Sequence, residues 1–125
     1  SKPPNMKFKV EKQEKVVLIS SHVEKLDALC APELKAELVM ANKEGFRNMV
    51  LDLSNTRYID SSGLSAILIG HRSCRDSGGS FVVCGLQPAV SKLVSISQLD
   101  NVLKIVPTQS EGVDYVYMEE VERDL

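Results

Sequence analysis

Short strand-like runs alternate with longer segments of helical periodicity, and that rhythm limits the chain to very few architectures. Met6 to Glu11 and Lys15 to Ser20 read as two strands around a polar turn. In the second, Val16-Val17-Leu18-Ile19 is apolar at every position, the pattern of a strand covered on both faces. Pro32 stands where a first helical turn tolerates proline, Leu34, Leu38 and Ala41 follow at helical spacing, and Gly45 ends the segment as a C-cap. Met49 to Leu53 is the next strand, stopped by Ser54-Asn55, and a helical pattern then runs to about Arg75, before Gly78-Gly79. Ser80 to Cys84 is a strand, Pro88 opens a helix with Val90, Leu93 and Val94 on one side, and Val102 to Val106 is a last strand stopped by Pro107. Ser110 is expected to cap a final helix carrying Val113, Val116, Tyr117 and Val121. The order β-β-α-β-α-β-α-β-α predicts one α/β domain over residues 6–121, with a mixed, mostly parallel sheet of about five strands and about four helices. Residues 1–5, with two prolines and no packing pattern, read as a disordered leader outside it. In open sheets of this kind function sits beyond the carboxyl ends of the strands, where the connections at 21–30 and 54–63 stand out.

Composition narrows the function. A chain of 125 residues suits one domain, and an aromatic content of 5% without Trp requires an aliphatic core and argues against base-stacking platforms. The net charge is -2, and Lys7, Lys9, Lys12 and Lys15 are interleaved with Val10, Glu11 and Glu14, so they read as the wet face of a strand. Direct nucleic-acid binding is not expected. Cys30, Cys74 and Cys84 are odd in number and match no metal-ligand spacing, and so read as reduced structural thiols of a cytoplasmic protein. No apolar run approaches the roughly 18 residues of a membrane span, and no secretory leader is visible. Neither a metal nor a cofactor is expected, the balanced surface charge permits a monomer, and membrane insertion is not foreseen.

The segment Asp60-Ser61-Ser62-Gly63-Leu64 carries the most chemistry. Asp and Ser are favoured N-caps, because their side-chain oxygens accept free backbone N–H groups, so capping alone would account for them. Stepping 100° per residue from Ser62 puts Leu64, Ile67, Leu68 and His71 on one side of the helix, the expected core face. Ser62, Ala66, Ile69 and Ser73 fall on the other, a small and weakly apolar strip suited to a partner, with Ser62 at its head. Ser62 also suits phosphorylation. A phosphoserine brings roughly -1.5 to -2 charges, which a helix N-terminus with free N–H groups tolerates and a desolvated partner surface does not.

On these residues the chain resembles a STAS domain of the anti-sigma factor antagonist family. The likeness covers about Met6 to Val121 and is strongest in Met49-Val50-Leu51-Asp52-Leu53-Ser54, in Ile59-Asp60-Ser61-Ser62-Gly63-Leu64, and in Gly78-Gly79-Ser80-Phe81-Val82-Val83-Cys84-Gly85-Leu86. The resemblance implies that Ser62, the second serine of the motif, accepts a phosphate. It implies that the unmodified chain binds an anti-sigma factor, often itself a serine kinase, and so frees a sigma factor. Phosphorylation then breaks the complex and a serine phosphatase restores it. Asp27, in Leu26-Asp27-Ala28, matches an acidic position of the loop before the first helix and becomes a second candidate for partner contact, with a capping role as its alternative. Ser20 to Lys25, with His22 inside, departs from the glycine usual just upstream. The candidate contacts are thus Asp27, Asp60, Ser61, Ser62, Gly63, Ala66, Ile69 and Ser73.

Other classes fit less well. A phosphoaspartate receiver would use Asp52, yet the first buried strand ends in Ser20-Ser21-His22 instead of an acidic cluster. A serine hydrolase lacks its Gly-x-Ser-x-Gly elbow, and no phosphate-binding Gly-rich loop is present, so no enzyme is expected. A STAS-type adaptor in a stress-sensing complex or beside a membrane transporter is the remaining alternative.

Overall fold

The computed structural model describes residues 6–125; the expected leader at 1–5 lies outside the described residues. Strands β1 (Phe8–Lys12) and β2 (Val17–Ser21) form an antiparallel hairpin. Strands β3 (Lys25–Leu26), β4 (Met49–Asp52), β5 (Tyr58–Ile59), β6 (Phe81–Cys84) and β7 (Lys104–Val106) follow, with helices α1 (Ala31–Lys43), α2 (Ser61–Asp76), α3 (Pro88–Ile96) and α4 (Gln109–Arg123) between and after them. The main sheet runs β1-β2-β4-β6-β7, parallel except for β1. This is the mixed, mostly parallel sheet of five strands with four helices that the residue pattern predicts.

Alternation along the strands builds two aliphatic layers. Val17, Ile19, Met49, Leu51, Phe81 and Val83 face Leu34 and Leu38 of α1, Ile67 and Cys74 of α2, and Val90 and Val94 of α3. Val16, Leu18, Val50, Val82 and Cys84 face the other way, toward Val116 of α4. Strands covered on both faces have no polar positions to spare, hence their continuous apolar runs. The lysines of the first strand are neutralised locally: Lys7 meets Glu33 at 3.8 Å, Lys9 meets Glu11 at 3.2 Å and Lys12 meets Glu44 at 2.8 Å.

Three expectations need correction. The last helix is capped by Thr108, not Ser110: Thr108 Oγ1 accepts from the Glu111 N–H at 3.2 Å and donates to Glu111 Oε1 at 3.0 Å, a reciprocal capping pair. With that start, Gly112, Val116 and Glu120 face the sheet, and Tyr117 and Val121 are exposed. Gly112 allows the close approach, since a Cβ there would lie 2.9 Å from Val50 Cγ1. The connections at 21–30 and 54–63 are not plain loops, because β3 and β5 pair in parallel as a second, two-stranded sheet. Finally, the buried face of α2 is Gly63, Leu64, Ala66, Ile67, Gly70 and Cys74, a quarter turn from the expected one. Its centre is small because the helix comes close: a Cβ on Gly70 would sit 2.6 Å from Phe81 Cε1.

Candidate functional site

The two connections beyond the strand ends are laced together. Arg57 N and Tyr58 N donate to Glu24 O at 2.9 and 3.0 Å, and Asp60 N donates to Leu26 O at 3.3 Å. Below them the buried Ser21 and Thr56 hydroxyls meet at 2.7 Å, and Thr56 Oγ1 donates to Val23 O at 2.8 Å. Leu26 pairs with Ile59, so the next residues in register are Asp27 and Asp60. Gly63 completes the seam: a Cβ there would collide with Leu26 O and lie 2.5 Å from Ile59 Cγ1. The first turn of α2 is thereby held against the loop that precedes α1.

Asp60 caps that turn. Its backbone is extended (φ -115, ψ -171), and Oδ1 accepts from Ser62 N at 2.9 Å and Gly63 N at 3.1 Å. The free N–H groups expected to meet a phosphate on Ser62 are therefore already held by a carboxylate. The helix dipole still favours negative charge there, but a phosphate on Ser62 would share it with Asp60.

Ser61 and Ser62 stand at the head of an open groove of about 410 Å³ between α1 and α2. Ser65, Ala66 and Ile69 continue the α2 wall; Ala28, Ala31, Pro32 and Lys35 form the other. The structure thus brings together Ser61, Ser62, Ala66 and Ile69, with Asp60 capping the same turn. Ala66 is itself buried and offers the groove only its floor. Gly63 faces inward. Ser73 is not brought to the groove; it lies near the other end of α2, where its carbonyl accepts from Asn42 Nδ2 at 3.4 Å and Ser77 Oγ at 2.9 Å. Asp27 does not line the groove either. Its Oδ1 accepts from Leu29 N at 3.0 Å, and its carbonyl accepts from Cys30 N at 3.1 Å and Ala31 N at 2.8 Å, which shapes the turn into α1.

That turn lifts Leu29 into solvent at 89% exposure, between groove residues Ala28 and Ala31. Sequence reasoning missed Leu29 and Lys35. The i, i+4 spacing of Ala31 and Lys35 on α1 was the available signal for the second wall.

The chemistry of the remaining groups is quiet. Burial pushes the Cys74 thiol up to about 12 and, with Asp52 beside it, Cys84 to about 12; burial likewise raises Cys30. All three are free thiols held protonated, not nucleophiles. Partial burial, with Arg75 and Arg72 nearby, lowers His71 and keeps it neutral near pH 7. Among the described residues no three His, Cys, Asp or Glu side chains gather as metal ligands, and no helix is long and apolar enough to cross a membrane.

Comparison with known proteins agrees with this fold. BtrV of Bordetella bronchiseptica is 39% identical over 67 residues, 54% of this chain and 58% of its own length, so the chain spans little more than half of that relative. The anti-sigma-B factor antagonist of Listeria monocytogenes is 31% identical over 87 residues, 69% of this chain and 75% of its own length. The Bacillus cell fate determinant SpoIIAA in its phosphorylated form shares the fold, with a TM-score of 0.69 at 22% identity over 87% of this chain and 98% of that one. SpoIIAA in its unphosphorylated form gives 0.71 at 19% identity over 88% and 97%. The sequence pattern of the STAS domain matches residues 7–112, which takes in the whole sheet and every helix but the last, and the chain belongs to the STAS domain family.

Proposed function

We propose that this chain is an anti-sigma factor antagonist whose binding is switched by phosphorylation of Ser62. Unmodified, it binds an anti-sigma factor that is itself a serine kinase, along the groove between α1 and α2, and so releases a sigma factor. Phosphorylation of Ser62 ends the complex, and a serine phosphatase restores it. The protein acts in the cytoplasm as a monomeric binding module, without a cofactor, without catalysis and without touching nucleic acid.

One observation carries this reading: Ser62 opens onto a groove head whose helix cap is already supplied by Asp60. A phosphate on the hydroxyl leaves the cap bonds in place, so the domain stays folded. It more than doubles the negative charge that Asp60 alone puts at the mouth, and each 1.4 kcal/mol of repulsion weakens a complex about tenfold. The names of the relatives and the SpoIIAA forms support the same role. Incubation with the kinase partner and ATP, followed by peptide mass spectrometry, is expected to place the phosphate on Ser62. Ser62→Asp is expected to melt like the parent and lose binding in calorimetry. Phosphate on Ser61 or Ser65 instead, or unchanged affinity of Ser62→Asp, would sink the switch and leave the adaptor reading.

A further inference from the structure

The last helix carries a surface that this switching does not use. Opposite its sheet-facing side, α4 runs Glu111, Asp114, Met118 and Val121-Glu122 at helical spacing, with Tyr117 on the flank. Met118 and Val121 are 62% and 61% exposed. Scattered apolar residues on a surface are ordinary, but Tyr117, Met118 and Val121 adjoin within little more than one turn and form a small patch. Here it encloses a shallow depression of about 460 Å³ edged by Asp114 and Glu122. The helix has no lysine, and its one arginine, Arg123, is turned inward onto Glu120 and Ser80. The outer face is therefore apolar along its middle and negatively charged at both ends.

We infer that this face docks a basic amphipathic helix of a partner protein, with leucine-like residues on Tyr117, Met118 and Val121 and Lys or Arg against Glu111, Asp114 and Glu122. The charges select this occupant. A second copy of α4 would set carboxylates against carboxylates. An anionic lipid surface would repel the same residues, and helices that lie on membranes carry Lys and Arg on their polar face. Helix-in-groove recognition takes apolar anchors at this spacing. Because α4 covers the face of the sheet opposite α1 and α2, this site and the Ser62 groove are independent.

The test titrates the isotope-labelled chain with a synthetic helical peptide of leucine and lysine, patterned at helical spacing, and with its leucine–glutamate counterpart. With the lysine peptide, amide shifts are expected to cluster at residues 114–122, and the glutamate peptide should bind about tenfold more weakly or worse. Met118→Lys and Val121→Lys should each weaken the lysine peptide about tenfold. Both positions are more than half exposed, so thermal melts should match the parent, and Ser62→Asp should leave the peptide's affinity unchanged. Equal affinity for the two peptides, shifts centred on the α1–α2 groove, or no binding at millimolar peptide would each overturn the inference. So would a dimer by sedimentation that Met118→Lys abolishes, which would give the face to a second copy.

Discussion

The two ends of the sheet are both polar, yet they are built to opposite rules. At the amino ends of β4 and β6, Glu120 is 6% exposed and enclosed by donors. Arg47 holds it through Nε at 3.2 Å and Nη2 at 2.7 Å, Asn48 Nδ2 donates to Oε1, and Arg123 Nη1 stands 3.7 Å away. Asn48 also donates to Lys15 O at 3.0 Å and accepts from Ser80 N at 2.9 Å, so one amide ties three strand starts to α4. No buried side-chain polar atom of the described residues is left unpartnered. At the carboxyl ends, the Asp60 carboxylate and the hydroxyls of Ser61 and Ser62 stand at an open groove, with Leu29 free beside it. Closed and saturated, the first cluster can only hold the fold together. Open and capped, the second suits the partner exchange proposed above.

The sharpest break in that contrast comes from Glu120. Glu120→Ala takes one of two acceptors from the buried Asn48 amide and strips Arg47 and Arg123 of their carboxylate, the largest loss of stability expected here. Urea denaturation should show that loss, and partner affinity per folded molecule should not change. The cluster also sets an acid limit. The Arg47 guanidinium, with Asn48, holds the Glu120 carboxyl at about 2, below the ordinary carboxylate value of 4.5. A lowered folded value means stability that is full above pH 4.5 and is lost as pH falls toward 2. Glu120→Gln should flatten the stability profile across that window. The next largest effect is expected in the seam beneath the open groove. Gly63→Ala forces a methyl onto Leu26 O and Ile59, at a cost of roughly 1–3 kcal/mol by overpacking. Unlike Glu120→Ala it should also disturb binding, because it parts the seam under Ser62. Unchanged hydrogen exchange of the Asp60 amide in this variant would show that the seam does not depend on the glycine.

Sequence alone exposed the frame because that frame rests on periodicity. Strands such as Val16 to Ile19 and Phe81 to Cys84 are buried on both faces, and apolar runs of that length have few other readings. It exposed the cap and the head of the groove for a different reason, since Asp60-Ser61-Ser62 opens a helix by local chemistry alone. The face of α2 was misread because hydropathy gives no weight to Gly63 and Gly70, the two places where the helix comes nearest its neighbours. Nor could the β3–β5 ladder be seen, since two residues on each side carry no measurable period. Lys35 joins the site through the packing of α1 on α2, which its i, i+4 spacing from Ala31 signals only once that packing is known, and Leu29 stands beside the groove through the turn that Asp27 shapes.

Smaller effects separate holding from binding at the open end itself. Asp60→Ala removes the acceptor of two N–H groups and should cost about 1 kcal/mol, read in the midpoint of denaturation. Asp60→Asn should recover most of it, because an amide oxygen caps nearly as well. If Asp60→Asn binds the partner as the parent does, the carboxylate's role is the cap and not the contact.

Leu29→Ser should do least to the fold and much to the function. Substituting a leucine at 89% exposure removes almost no buried area, so stability should stay within about 0.5 kcal/mol. The turn that carries it is fixed by Asp27 through Leu29 N, Cys30 N and Ala31 N, and serine keeps every one of those bonds. A leucine presented to water on a fixed turn beside a weakly apolar groove gains, on docking, the transfer of its side chain, about 1.5–3 kcal/mol. Calorimetry with the proposed anti-sigma partner should therefore show roughly a tenfold or greater loss for Leu29→Ser. Asp27→Ala, which frees the turn but keeps the leucine, should lose less than Leu29→Ser. The reverse order would return Asp27 to the contact role and make Leu29 a bystander.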